Sequence, residues 1–354
     1  MNREMDSRLV PAVAVPARNE AEFLPRHLAA LARQSILHHL DSPLAVVVVL
    51  NNTTDGSRQA LEQTAARLPQ LDLRILDVVF SPEAAHVGTA RRLAMETAAA
   101  LVPTGVILTT DADAVPADDW IEANLRAIAG GADLVGGRIL GDPAEEARLG
   151  PAFLRRARLH GRHAALRDEL AALLDPLEHD PWPRHHDHTG ASLAVLTSVY
   201  HAIGGLDPLP CREDIAFVSK ARAAGFRLRH APNVVVTVSA RVQGRARGGM
   251  ADCLSRWLRE DAEGAPVLVE APDAIERLLL RRRALRETGA MGPAQAGLAL
   301  AALGVDPEDA PSLAALIERH AADDLDAPTT TPAAEAIATL EARIAQLRRP
   351  ADAA

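Results

Sequence analysis

Short apolar runs alternate with stretches of helical periodicity along the first part of the chain. Leu9 to Val15, Leu44 to Leu50, Leu71 to Val79 and Gly105 to Thr110 read as strands, and Glu20 to Gln34, Ser57 to Leu68, Gly88 to Leu101 and Trp120 to Ala129 read as helices. Runs such as Ala45-Val46-Val47-Val48-Val49-Leu50 have no polar face, so these strands are expected to be buried on both sides. The pattern predicts an α/β region with a mainly parallel central sheet flanked by helices. Ligands on such sheets gather at the carboxyl ends of the strands. Three polar clusters fall at such ends: Arg18-Asn19-Glu20, Asn51-Asn52-Thr53-Thr54-Asp55 and Asp111-Ala112-Asp113.

Further along, Asp142 to Asp175 reads as helical and arginine-rich, and Pro176 to Thr189 as an irregular loop rich in Pro and His. Gly190 to Ala202 resumes an apolar pattern, Gly204-Gly205 turns, and Arg212-Glu213-Asp214 opens a helix toward Ala224. Phe226 to Leu228 and Val234 to Val238 read as the last strands. Beyond about residue 262 the chain becomes alanine-rich, acidic and helical, so the expected division is 1–261 for the α/β domain and 262–354 for an α-helical C-terminal extension, with a Pro/Thr linker at 326–332. Within the last helix, Ile337, Leu340, Ile344 and Leu347 form a short coiled-coil-like stripe. Such a stripe either pairs with a second subunit, giving a homo-oligomer, or docks on its own domain.

Composition narrows the function classes. A chain of 354 residues has room for one large α/β domain and a smaller addition. Although 48% of residues are hydrophobic, no run is long enough to cross a bilayer, and the charged opening lacks a signal-peptide pattern, so cytoplasmic residence is the expectation. Cys211 and Cys253 lie far apart and support neither a disulfide framework nor a zinc site. A formal net charge of −9 argues against broad nucleic-acid binding. Lys220 is the only lysine, so positive charge is carried by arginine, whose planar guanidinium suits phosphate contacts.

The candidate chemistry starts at Asp111-Ala112-Asp113. Alternate residues of an extended segment point the same way, so both carboxylates can converge on one hard cation, or on a ribose and a cation together. An acidic turn of this kind also serves as a solvated loop or as the cap of a following helix, here at Pro116-Ala117-Asp118-Asp119-Trp120. After the last predicted strand, Ser239 to Gly249 combines glycines with Arg241, Arg245 and Arg247, a composition that lets a loop approach and clamp phosphates. Its rival reading is a solvated basic loop. His179, His185, His186 and His188 lack i, i+4 spacing and read as acceptor-pocket or exposed residues rather than zinc ligands. Trp182 and Trp257 can stack on a sugar, although packing is the commoner role.

Taken in order, Pro16-Ala17-Arg18-Asn19-Glu20, Gly88-Thr89-Ala90-Arg91-Arg92, the D-A-D, Thr189-Gly190-Ala191-Ser192, Gly204-Gly205-Leu206-Asp207 and Glu213-Asp214 with Ala224-Gly225-Phe226 resemble the family 2 glycosyltransferases over residues 9 to 260. The resemblance implies a GT-A fold, a nucleotide-sugar donor, and Mg²⁺ or Mn²⁺ as cofactor. It implies Asp113 as metal ligand, with Asp111 sharing the cation or holding the ribose. Asp214 becomes the general base that takes the acceptor hydroxyl proton in an inverting transfer, with Glu213 orienting the acceptor or supporting the base. Both acids also suit a helix N-terminus. Nucleotide contacts are expected from Ala17, Arg18, Glu20, Asn51 and Ala112, and from Arg91 if it lies near the diphosphate rather than on the surface.

This chain departs from the family pattern in two places. Many relatives carry Asp-Asp where Asn51-Asn52 stands, so the base is expected to be recognised by an amide carbonyl without charge assistance; UDP or dTDP is favoured, with GDP as the alternative. Relatives often place a metal-ligating His where this chain has Thr237 and Ser239, which leaves the metal to Asp113, phosphates and water. A retaining enzyme like the glucosyl-phosphoglycerate synthases is the nearest rival, and a nucleotide-binding scaffold with a decayed site is the rival of another class. No feature identifies the sugar or the acceptor.

Overall fold

The computed structural model describes residues 9–244, 249–322 and 329–349. Its strands are β1 (Pro11–Ala17), β2 (Leu44–Asn51), β3 (Leu71–Val78), β4 (Val106–Thr109), β5 (Val115–Pro116), β6 (Leu134–Gly141), β7 (Leu193–Leu196) and β8 (Leu228–Val238). They form one eight-stranded sheet in the order β3-β2-β1-β4-β7-β6-β8-β5. The first four spatial neighbours run parallel, β7 is antiparallel to both β4 and β6, β6 is parallel to β8, and β5 is antiparallel to β8. The sheet is mixed and mostly parallel, as the valine-rich runs predict.

Burial on both faces explains those runs. Val46, Val48 and Leu50 pack on one side with Leu24, Leu28, Leu61 and Trp120, and Val47 and Val49 on the other with Met95, Ala98 and Phe217. The helices that supply these partners are α1 (Leu24–Leu31), α2 (Ser57–Ala65), α3 (Val87–Leu101) and α4 (Trp120–Ala129), followed by α5 (Pro143–Arg148), α6 (Pro151–Leu174), α7 (Thr197–Ala202) and α8 (Glu213–Ala223).

Three elements differ from the sequence expectation. β6 is unexpected because Gly136, Gly137 and Gly141 interrupt its apolar pattern. Those glycines admit close neighbours: a Cβ on Gly137 would collide with Ser192 Oγ, the same hydroxyl that accepts the indole N–H of Trp120 at 2.8 Å. β8 is one strand rather than two; its register against β6 shifts between Gly137 and Arg138, where Pro232 and Asn233 sit in the irregularity. The long helical stretch from Asp142 breaks at Gly150, which takes φ 94°, and Pro151 then starts α6.

The chain divides into two compact units. One comprises the chain up to Arg148, His186–Ala221 and Phe226–Arg256; the other comprises Leu149–His185, Arg222–Gly225 and the chain from Trp257 onward. The second unit is therefore built from α6 as well as from the C-terminal helices, α10 (Pro272–Thr288) and α13 (Ala333–Leu347) among them. Leu340 and Ile344 are buried there with Leu166, Leu170, Leu174, Ile275 and Leu279, and Ile337 and Leu347 pack against the same cluster. The stripe on the last helix is occupied within its own unit, which removes the basis for reading it as a free subunit contact. Part of the predicted linker, 326–328, lies outside the described residues. Among the described residues, no helix is long and apolar enough to cross a membrane.

Candidate active site

The carboxyl ends of β1, β2 and β4 meet at one edge of the sheet. The loops after β1 and β2 are tied together by side chains. Asn19 Oδ1 accepts from Thr54 N at 2.8 Å, Ser57 Oγ accepts from Glu20 N at 2.9 Å, and Asp55 Oδ2 accepts from Ala21 N at 3.1 Å. Asn19 and Asn52 adopt φ of 54° and 48°, a region asparagine tolerates better than most residues. Asn52 holds its turn by a reciprocal pair with the Phe80 backbone, donating from Nδ2 and accepting at Oδ1, each at 3.0 Å.

Asn51 is different. It is buried, its Nδ2 donates to His86 O at 3.0 Å, and its Oδ1 has no hydrogen-bond partner among the described residues. A buried carbonyl left unpaired is costly, so Asn51 Oδ1 is a candidate acceptor for a ligand N–H. Because Nδ2 is committed to a carbonyl, the orientation of the amide is fixed. The free group is an acceptor.

Arg91, on α3, is the centre of the arrangement. Its guanidinium is 3% exposed, and its Nε donates to Glu213 Oε1 at 2.9 Å, Nη1 to Thr109 Oγ1 at 3.0 Å and Gly190 O at 2.9 Å, and Nη2 to Asp111 Oδ1 at 2.7 Å. Burial opposes the charge, and Asp111, Glu213 and Asp214 more than offset it, raising the pKa above that of an ordinary guanidinium. This placement removes the surface reading: Arg91 is buried, and four of its five N–H groups join β4, the Thr189-Gly190 turn and the start of α8. Gly190 is required there, since a Cβ would collide with the guanidinium.

At the start of α8, Asp214 Oδ2 accepts from Gly190 N at 2.5 Å and Oδ1 accepts from Ile215 N at 2.8 Å. Glu213, by contrast, is buried against Arg91. The two neighbouring acids thus occupy different environments, with Glu213 fixed inside and Asp214 at the margin. The sequence alone does not separate them.

A second arginine faces the other acid of the D-A-D. Arg241, just beyond β8, donates from Nη1 and Nη2 to the two oxygens of Glu20 at 2.7 Å each, and its Nη2 lies 2.9 Å from Asp113 Oδ2. Its guanidinium carbon sits 5.0 Å from the centre of the Phe23 ring. Burial opposes its charge, while Glu20 and Asp113 favour it, and the net effect raises its pKa. Asp113 is pushed up to about 6, chiefly by burial and then by the charge of Asp111, against the downward pull of Arg241. Residues 245–248 of the loop expected to clamp phosphates, Arg245 among them, lie outside the described residues.

Ala17 and Ala112 are buried at their strand ends, and Arg18 is exposed, its Nη1 donating to Ala85 O at 3.0 Å. Sequence reasoning missed His27. Fully buried on α1, it shares a hydrogen bond between Nδ1 and Ala114 O at 2.7 Å and so props the D-A-D loop from beneath. No motif surrounds it. His86 and Phe23 were missed for the same reason.

Oxygen donors suit a hard divalent cation, and Asp113 with Asp111 is the pair available. Among the described residues no group of three His, Cys, Asp or Glu converges on one point. In the histidine-rich loop, His188 Nδ1 lies 3.1 Å from His230 Nε2. Protein ligands for a metal are therefore few, and phosphate oxygens and water would complete the shell.

Residues 12–175 match the family described as Glycosyl transferase family 2. Among solved structures, the chain is similar to S. aureus TarS 1–349 in complex with UDP, at 15% identity and TM-score 0.48 over 85% of this chain and 77% of that one. It is also similar to the mannosyltransferase PcManGT from Pyrobaculum calidifontis in complex with GDP-Man and Mn²⁺, at 20% identity and TM-score 0.47 over 96% of this chain and 81% of that one. A third is the glucosyl-3-phosphoglycerate synthase from Mycobacterium tuberculosis with Mn²⁺, UDP-glucose and glycerol 3-phosphate, at 15% identity and TM-score 0.39 over 74% and 83%. No curated protein matches. The family match spans β1 through the D-A-D to α6, so residues 12–175 of this α/β chain are similar to glycosyl transferase family 2.

Proposed function

We propose that the protein transfers a sugar from a nucleoside diphosphate to an acceptor hydroxyl with inversion at the sugar carbon, and that Asp214 is the base. The observation that carries this reading is the link from Asp111, at the end of β4, through Arg91 and Gly190 to Asp214 at the start of α8, with Asp113 two residues beyond Asp111. Asn51 Oδ1 accepts the ring N–H of uracil or thymine. The same acceptor also serves guanine, which bears a ring N–H at the corresponding edge.

Asp113, with Asp111, would hold Mg²⁺ or Mn²⁺, which when bound would supply charge to neutralise the diphosphate leaving group. Asp214 removes the acceptor proton as the new bond forms; the Gly190 and Ile215 N–H groups keep its carboxylate aimed. Glu213 does not touch substrate in this scheme. It positions Arg91, which in turn fixes the Gly190 turn that orients the base.

The test is a calorimetric and thermal-shift screen of UDP, dTDP, GDP and ADP, each with and without Mn²⁺, on wild type and Asp113→Ala. One nucleotide whose binding needs both metal and Asp113 is the expected result. Nucleotide binding that ignores metal and Asp113, with no donor hydrolysis, would instead support a non-catalytic scaffold.

A further inference from the structure

The proposed cation position already has a positive group on it. Arg241 Nη2 lies 2.9 Å from Asp113 Oδ2 while the same guanidinium is held by both oxygens of Glu20 and lies over Phe23. This is a built site, with one face aromatic and two faces carboxylate, so the arginine is not a stray surface charge. Asp111 is likewise engaged, through one oxygen, by Arg91. A divalent ion bound to Asp113 would have to share its carboxylate with a guanidinium, and like charges at hydrogen-bond distance repel strongly where water is scarce.

Building on the transferase reading above, we propose that Arg241 is the resident counter-ion of Asp113 in the nucleotide-free protein and that arginine and divalent cation exclude one another at that carboxylate. The grip on Glu20 does not depend on Asp113. Arg241 can therefore leave Asp113 without leaving the site, and the exchange frees an Nη2 donor for a second anion. The cation subsite is thus closed until metal and donor arrive together, which keeps a bare metal ion from occupying the site and gives the arginine a second anion to bind once it has moved.

Mn²⁺ affinity is measured without nucleotide, by electron paramagnetic resonance of free Mn²⁺, for wild type, Arg241→Gln, Arg18→Gln and the double variant Arg241→Gln/Asp113→Asn. Exclusion at Asp113 predicts that Arg241→Gln binds Mn²⁺ at least about tenfold more tightly than wild type, that Arg18→Gln, which removes the same charge from the neighbouring loop, does not, and that the double variant loses the gain. In [¹⁵N]arginine-labelled wild type, the side-chain signal missing from Arg241→Gln should move on addition of Mg²⁺ with UDP or GDP. Mn²⁺ affinity that is equal in wild type and Arg241→Gln, including no binding by either, overturns the proposal, as does an equal gain in Arg18→Gln. Nucleotide binding in the same wild-type samples reports separately on the transferase reading, so the two ideas fail by different measurements.

Discussion

Arg91 Nε and Glu213 Oε1 are 2.9 Å apart, and both side chains are almost wholly removed from solvent. A buried guanidinium costs several kcal/mol to desolvate and is tolerated only when its donors are matched. Here they are matched by side chains and a carbonyl from β4, the Gly190 turn and α8. Arg91→Met should destabilise the protein by about 3–5 kcal/mol in urea unfolding, because it leaves the buried Glu213 carboxylate without its partner. Adding Glu213→Gln to that variant should recover part of the loss. Strict additivity of the two substitutions would show that the pair is not coupled.

Asp214→Asn should lower kcat by about 10²–10⁴-fold while leaving the dissociation constant of the donor nucleotide unchanged. The amide oxygen can still accept from Gly190 N but the bond from Ile215 N is lost, so stability should fall by only about 1 kcal/mol. Equal losses in nucleotide affinity and turnover would mean that Asp214 shapes the site rather than acting in the reaction.

Asn51 Oδ1 waits for an N–H. Wild type should therefore prefer nucleotides with a ring N–H, such as UDP or GDP, over CDP by about tenfold, the worth of one hydrogen bond to a buried acceptor. Asn51→Leu should abolish that preference. Competition calorimetry with UDP and CDP decides it; an unchanged preference in the variant would place base recognition elsewhere.

His27 is fully buried, and burial lowers its pKa despite the Ala114 carbonyl and the charge of Asp111. The folded state keeps it neutral, whereas the unfolded chain takes up a proton near pH 6.5. The stability it contributes is therefore complete above that pH and declines as pH falls below it. His27→Gln keeps a donor for Ala114 O but cannot titrate, so its melting temperature should be lower than wild type at pH 7 and should fall less between pH 7 and 5. Parallel pH profiles would refute the assignment.

The sheet was legible because its valine runs leave no polar face, and the acid cluster because D-A-D closes such a run. β6 was not legible, since the glycines that let it pass Ser192 and His188 erase the apolar pattern that would announce a strand. Arg91 was singled out by its place before a helix, yet its burial depends on Gly190, Thr109 and Glu213, residues brought together only by the antiparallel turn of β7 beside β4. The different environments of Glu213 and Asp214 come from the same tertiary event. Arg241 was identified as a phosphate clamp from loop composition, and its engagement with Asp113 lies beyond what composition can say. His27 carries no local signal at all; it is one polar residue on an otherwise apolar helix face.

The ties between the loops after β1 and β2 divide the thermodynamics of binding. Where Asn19, Glu20 and Ala21 are already fastened to Thr54, Ser57 and Asp55, a nucleobase meets a surface whose shape is set before it arrives. Little backbone entropy remains to be lost there. Discrimination among bases should accordingly be enthalpic and insensitive to which sugar follows, while the diphosphate end, where Arg241 has to change partners, bears the reorganisation that separates a productive donor from a bare nucleotide.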